Sequence, residues 1–110
     1  MAAADDIQST AAALLPDIRR YLDITWADEE LDKKIQDLTA DGIFYLNDKL
    51  GEPGDYTVPG YPRQLLKEYV RYARDAALDV FENNYQALIL AMGNNRKVSA
   101  YVESTQAAGE

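Results

Sequence analysis

PRQLLKEYVRYARDAALDVFENNYQALILAM, residues 62–92, decides what kind of fold this chain adopts. Leu66, Val70 with Tyr69 beside it, Ala73, Ala77, Val80 or Phe81, Asn84 or Tyr85, Leu88 and Met92 recur every three to four positions. That is the period of one apolar helix face, and no alternation of strand type competes with it. Pro62 suits a first helical turn, where its missing N–H has no partner to lose. Gly93-Asn94-Asn95 reads as a stop. Glu82-Asn83-Asn84 is polar without being a hard break, so the pattern predicts one long helix, with Asn83 as the point for a kink or split.

Immediately before it, residues 51–61 hold two prolines and three glycines, a composition incompatible with regular helix. Loops of this length in small domains are often functional. Tyr56, Val58 and Tyr61 give this one apolar contacts to make, with a partner or with its own bundle.

Further upstream, Leu31, Ile35, Leu38, Tyr45 or Leu46 and Leu50 trace a second helical stripe that also contains Gly42. Thr25 is the N-cap candidate, with Asp28 three residues on and Glu29 in the first turn. Gly51 supplies the stop. A helix over 26–50 would be about 37 Å long. A glycine inside it costs up to about 1 kcal/mol relative to alanine, so Gly42 is read as a place where a neighbouring helix comes close, with a hinge as the alternative. Leu15, Ile18 and Leu22, with Pro16 in the first turn and Asp17 against the positive helix end, predict a short first helix of about two turns.

Residues 1–12, rich in Ala, Asp, Ser and Thr, read as a weakly ordered extension. Residues 13–93 form the helical domain and 94–110 a tail without sustained pattern. The tail reads as disordered in the free chain, or as a segment folding on a partner with Val98, Tyr101 and Val102 on one face. The class is all-α: a small bundle with a short first helix, two long helices and room for a fourth at the C-terminus.

The 110 residues suit one domain. Lys and Arg number 11 against 19 Asp and Glu, a formal charge of -8, with neither His nor Cys. Those absences exclude disulfide scaffolds, thiol chemistry, nucleophile–base pairs built on Cys or His, and the usual zinc sites. The acidic balance argues against a general nucleic-acid binder. No apolar run approaches the ~20 residues of a membrane span, and the first residues lack the basic region of a signal peptide. The chain reads as soluble, intracellular or particle-borne. No calcium loop, phosphate loop or dinucleotide fingerprint is present. Asp37, Asp41 and Asp48 share a helix side opposite the apolar stripe, the arrangement of a solvated acidic face. Neither catalysis nor a cofactor or metal is expected.

Charge on the 62–92 segment is segregated. Arg63, Lys67, Arg71 and Arg74 form a basic stripe, and Asp75, Asp79 and Glu82 continue it as an acidic one. Local pairs such as Glu68–Arg71 account for part of this, at about 0.2–0.5 kcal/mol each. The functional reading is pairing between identical copies, basic half against acidic half, a heterologous contact that closes into a ring or runs on as a filament. Eight tyrosines, Tyr69 and Tyr72 among them, suit core edges and subunit contacts.

Two blocks carry a family resemblance. Asp17-Ile18-Arg19-Arg20-Tyr21-Leu22-Asp23-Ile24-Thr25-Trp26-Ala27-Asp28-Glu29-Glu30 resembles the opening of the small head–tail connector proteins of tailed bacteriophages and prophages. Leu65-Leu66-Lys67-Glu68-Tyr69-Val70-Arg71-Tyr72-Ala73-Arg74, followed by Ala77-Leu78-Asp79-Val80-Phe81-Glu82-Asn83-Asn84-Tyr85, is similar to the third helix of that family. The resemblance implies a ring of roughly a dozen copies beneath the portal protein at the virion neck, assembled in the host cytoplasm. Such a ring extends the DNA channel without binding DNA specifically and offers a platform to the next neck or tail-completion protein. The resemblance also implies portal docking by the C-terminal segment, here Arg96, Lys97, Val98, Tyr101 and Val102. The extension Met1–Ala13 departs from the family pattern. The alternative reading is an acidic helical adaptor or inhibitor that binds a basic surface. A small enzyme would need a deep pocket with a buried carboxylate.

Overall fold

In the computed structural model the backbone is described over residues 2–108 and the side chains over residues 6–94. Four helices, α1 (Ala2–Tyr21), α2 (Glu29–Leu50), α3 (Tyr61–Arg74) and α4 (Leu78–Ala108), form an all-α bundle, with no strand among the described residues.

Helix α1 is 20 residues long rather than two turns, and it begins inside the stretch expected to be weakly ordered. Its inner face is Ile7, Ala11, Leu14 and Ile18, with Ala11 and Ile18 almost fully enclosed. A small residue lets the helix lie close against α2, so this end has a buried stripe after all. Pro16 therefore sits in the interior of the helix and not in its first turn. The proline ring removes the bond to the carbonyl of Ala12, which is an exposed residue. The helix ends with Asp23 in the left-handed region at φ 59°. The Ile24 amide returns to the Arg19 carbonyl at 3.0 Å, and Ile24 is buried behind it. This closure lets an apolar side chain seal a helix end.

Helix α2 is capped by Asp28, not Thr25: the Asp28 carboxylate accepts from the Leu31 amide at 3.1 Å. Gly51 closes it at φ 85°, as its stop position requires. Ile35, Thr39, Ala40, Gly42, Ile43 and Leu46 are its buried face. The Thr39 hydroxyl is satisfied within the helix by donating to the Ile35 carbonyl at 2.8 Å. At the turn from α1, Arg19 donates to the Asp32 carboxylate and to the carbonyls of Ile24 and Trp26, tying the connection over 22–28 to both helices.

The largest departure from expectation lies in the opening stretch. The helix does not run from Pro62 to Met92, nor does it kink at Asn83. It breaks at 75–77, where Ala76 takes φ 55° and the Ala77 amide returns to the Tyr72 carbonyl at 2.8 Å. The Phe81 amide then bonds the Ala77 carbonyl at 3.1 Å to start α4. The chain reverses, and α4 packs back along α3. Phe81 is fully buried, with its ring 5.6 Å from Tyr69 and 5.3 Å from Tyr85. Tyr72 lies 6.2 Å from Phe81 and 6.1 Å from Tyr85, and Tyr45 of α2 lies 6.3 Å from Phe81. Ring pairs of this kind contribute about 0.5–1.5 kcal/mol each beyond burial, and the five together outweigh the cost of one residue in the left-handed region, about 1–2 kcal/mol.

Gly93 does not stop α4. It passes beside the end of α2, where a Cβ would meet the Lys49 carbonyl at 3.4 Å, and the helix continues to Ala108. No helix among the described residues is long and apolar enough to cross a membrane.

Candidate functional site

The polar elements of the bundle are unevenly spread. On α3 the four basic residues have different surroundings. Arg63 lies 4.0 Å from Asp17 of α1, a carboxylate that also pairs with Arg20 at 3.4 Å. The Lys67 ammonium sits over the Tyr21 ring at 5.6 Å from its centroid. Arg71 pairs with Glu68 at 3.6 Å and donates to the Tyr72 hydroxyl at 3.4 Å. Arg74 has no carboxylate within 4 Å among the described residues. Surface pairs like these are worth about 0–1 kcal/mol, so the basic edge remains open to a stronger partner.

Asp75, Asp79 and Glu82 are exposed. The reversal at Ala76 places Asp79 and Glu82 on α4, so they do not continue the α3 stripe in a straight line. The collinear bipolar helix expected from the sequence is replaced by a basic edge and an acidic segment on the two arms of a hairpin.

A polar network joins those arms. Glu68 is a buried carboxylate, and the Tyr85 hydroxyl donates to it at 2.9 Å. Desolvation, reinforced by that bond, pushes the Tyr85 hydroxyl up to about 12. The Asn84 amide donates to the Tyr72 hydroxyl at 3.4 Å, and this bond, with that from Arg71, lowers the Tyr72 pKa. Every buried side-chain nitrogen and oxygen among the described residues has a partner, so the network is a lock for the hairpin.

Loop 51–60 folds onto its own bundle through Tyr56. The Asn47 side-chain oxygen accepts from the Tyr56 hydroxyl at 2.6 Å and from the Gly54 amide at 2.9 Å. Tyr56 is nearly fully buried, and desolvation raises its hydroxyl far above the usual tyrosine range. Val58 and Tyr61, by contrast, are exposed. Tyr61, Pro59, Gly60, Arg63, Gln64 and Lys67 line an open cleft of about 400 Å³ at the start of α3. The structure thus divides the three loop residues: one anchors, two face outward.

Asp37, Asp41 and Asp48 are exposed along one side of α2, and no Lys or Arg lies within 4 Å of them among the described residues. Phe44 stands among them and is 67% exposed, more than any other large apolar side chain described. Sequence reasoning passed over Phe44. Its signal was an aromatic one turn from an aspartate on each side, on the face away from the core. Arg96, Lys97, Val98, Tyr101 and Val102 fall on α4 past Asn94, and their side chains lie outside the described residues. No group of three or more acidic side chains converges as a metal site among the described residues. Comparison with known protein families, curated proteins and solved structures finds no match for this chain.

Proposed function

We propose that this chain is a structural assembly protein: a ring-forming head–tail connector of a tailed bacteriophage or prophage that docks on the portal protein and extends the DNA channel toward the tail. One observation supports this reading most: a small acidic bundle carries an open basic edge on α3 and, on other elements, exposed acidic faces without cation partners among the described residues. A surface with both signs segregated suits repeated heterologous contacts between identical copies. The two resembling blocks also meet in space, through Lys67 over Tyr21. In this role the basic residues Arg63, Lys67, Arg71 and Arg74 serve one side of the subunit contact. The α4 segment from Arg96 to Val102 reaches the portal, and the acidic surface lets DNA pass without sticking.

Electron microscopy and native mass spectrometry of the purified chain, alone and with portal rings, test the reading. Closed rings of many copies on the portal are expected. A chain that stays monomeric and ignores the portal at every concentration would contradict it.

The exposed Asp37, Asp41 and Asp48 also favour a second reading, an acidic adaptor or inhibitor for a basic protein surface. That reading leaves the basic edge of α3 without a use.

A further inference from the structure

The proposed ring leaves open which surfaces meet. Phe44 projects from α2 between two shallow depressions: one lined with Asn47, Asp48, Gly51, Glu52 and Pro53, the other with Asp41, Tyr45, Asp48, Lys49 and Tyr69. It is therefore a ridge, flanked one helical turn away on each side by a carboxylate. About two thirds of this phenylalanine is left in water between like charges, so most of its apolar surface gains nothing inside the monomer.

The open cleft at the start of α3 is no deeper than those two depressions, but it carries the opposite charge. Its walls are the apolar Pro59 and the half-exposed Tyr61, and its rim carries Arg63 and Lys67. Its volume is about 400 Å³, and it is open to solvent. Arg63 is held only at 4.0 Å by Asp17 and Lys67 only by a ring face. Both cations can turn to an incoming carboxylate with little lost. Knob and cleft share no residue, so both remain available in one copy.

We infer that Phe44 of one copy seats in the Pro59–Tyr61 cleft of the next, with Asp41 and Asp48 pairing with the Arg63 and Lys67 that rim it. The inference rests on the connector reading for its setting, and it names the α2 aspartates as the acidic side of the subunit contact in place of Asp75, Asp79 and Glu82. Knob and cleft are different patches of the same molecule, so the contact is head-to-tail and repeats from copy to copy. Buried aromatic anchors carry much of the energy of an interface, and complementary charge around them fixes register and partner choice.

The absence of cysteine from the sequence makes a direct test available. Asp48→Cys and Gln64→Cys are introduced together: Asp48 is exposed one turn from Phe44, so the anchor itself stays in place, and Gln64 lines the cleft and is exposed. A control chain carries Asp48→Cys with Asn94→Cys, also exposed. Circular dichroism and melting establish that each chain folds. Under mild oxidation in the assembled state, the first chain is expected to give a ladder of disulfide-linked oligomers at least tenfold faster than the control. A mixture of the two single variants, D48C and Q64C, is expected to stop at linked dimers. Equal rates for test and control pairs, with rings still seen by native mass spectrometry of the unaltered chain, would overturn the knob-and-cleft contact and leave the ring reading standing. Absence of both ladder and rings would overturn both.

Discussion

The backbone of Gly42 lies directly beneath Tyr69, so close that a Cβ at residue 42 would stand 2.7 Å from Cδ1 of the ring and 2.8 Å from Cδ1 of Leu66. Alanine is the better helix former by up to about 1 kcal/mol. Here that preference loses, because Tyr69 and Leu66 are themselves buried against Tyr45, Phe81 and the rest of the core. Overpacking a filled core costs about 1–3 kcal/mol. Gly42→Ala is expected to lower stability by about 1 kcal/mol net, measured by urea unfolding. A gain would mean that α2 and α3 are not in this close contact.

Ala76 gives a test of opposite sign. At φ 55° an alanine is strained, and glycine there is not. Ala76→Gly is expected to stabilise the chain by about 0.5–1 kcal/mol, while Ala76→Val destabilises it. Were residues 62–92 one continuous helix, the same glycine would sit mid-helix and cost about 1 kcal/mol. The sign of the change in urea midpoint therefore reports the chain reversal itself.

Alkaline pH should loosen the bundle. In the folded chain the Tyr85 hydroxyl keeps its proton up to about 12, for reasons of burial and the bond to Glu68, whereas in the unfolded chain it releases it near 10. The folded state then binds more protons than the unfolded one above that point, and stability falls as pH rises. The contribution is fully present below about pH 10 and is lost as pH climbs through about 12. Tyr56, Tyr45 and Tyr69, all raised chiefly by desolvation, act in the same direction, and Tyr72, lowered by its bonds, opposes them in part. Urea midpoints are expected to drop above about pH 10, less steeply in Tyr85→Phe. A flat profile would contradict the burial described.

Truncation after Gly93 separates fold from attachment. Among the described residues Met92 is the last buried one, with Phe81 and Ile89 before it. The shortened chain is expected to keep its helical spectrum and cooperative melt, within about 1 kcal/mol of the full chain, and to lose portal binding. Undiminished binding in a sedimentation assay would remove Arg96–Val102 from the docking role.

Helix α2 was legible because its signals are local: a periodic stripe, a stop at Gly51, and a buried glycine whose best explanation was a close neighbour. The cap was misplaced by three residues because Thr25 and Asp28 are both good capping types, and only the bond to Leu31 separates them. Helix α1 was underestimated because Ala11 does not look like a core residue, although Ile7, Ala11, Leu14 and Ile18 keep helical spacing. The reversal at Ala76 had no local signal at all. Neither Gly nor Pro marks it, and two helices that pack on each other continue the same apolar period across the turn. What enforces it is tertiary, the burial of Phe81 among Tyr45, Tyr69, Tyr72 and Tyr85. The basic edge was legible as charge. Its relation to the acidic residues was not, because that depends on the turn. Phe44 was overlooked because periodicity directs attention to the core side of a helix, and an outward aromatic stands out only once the inner face is known.

The most direct test of the connector account is recovery of the tagged chain from a lysate of its induced phage or prophage, with the co-recovered proteins identified by mass spectrometry. The account expects portal protein, together with many copies of this chain per particle. Recovery of a host regulatory or nucleic-acid enzyme through its basic surface, with no portal protein present, would contradict it and transfer the acidic faces to the inhibitor reading.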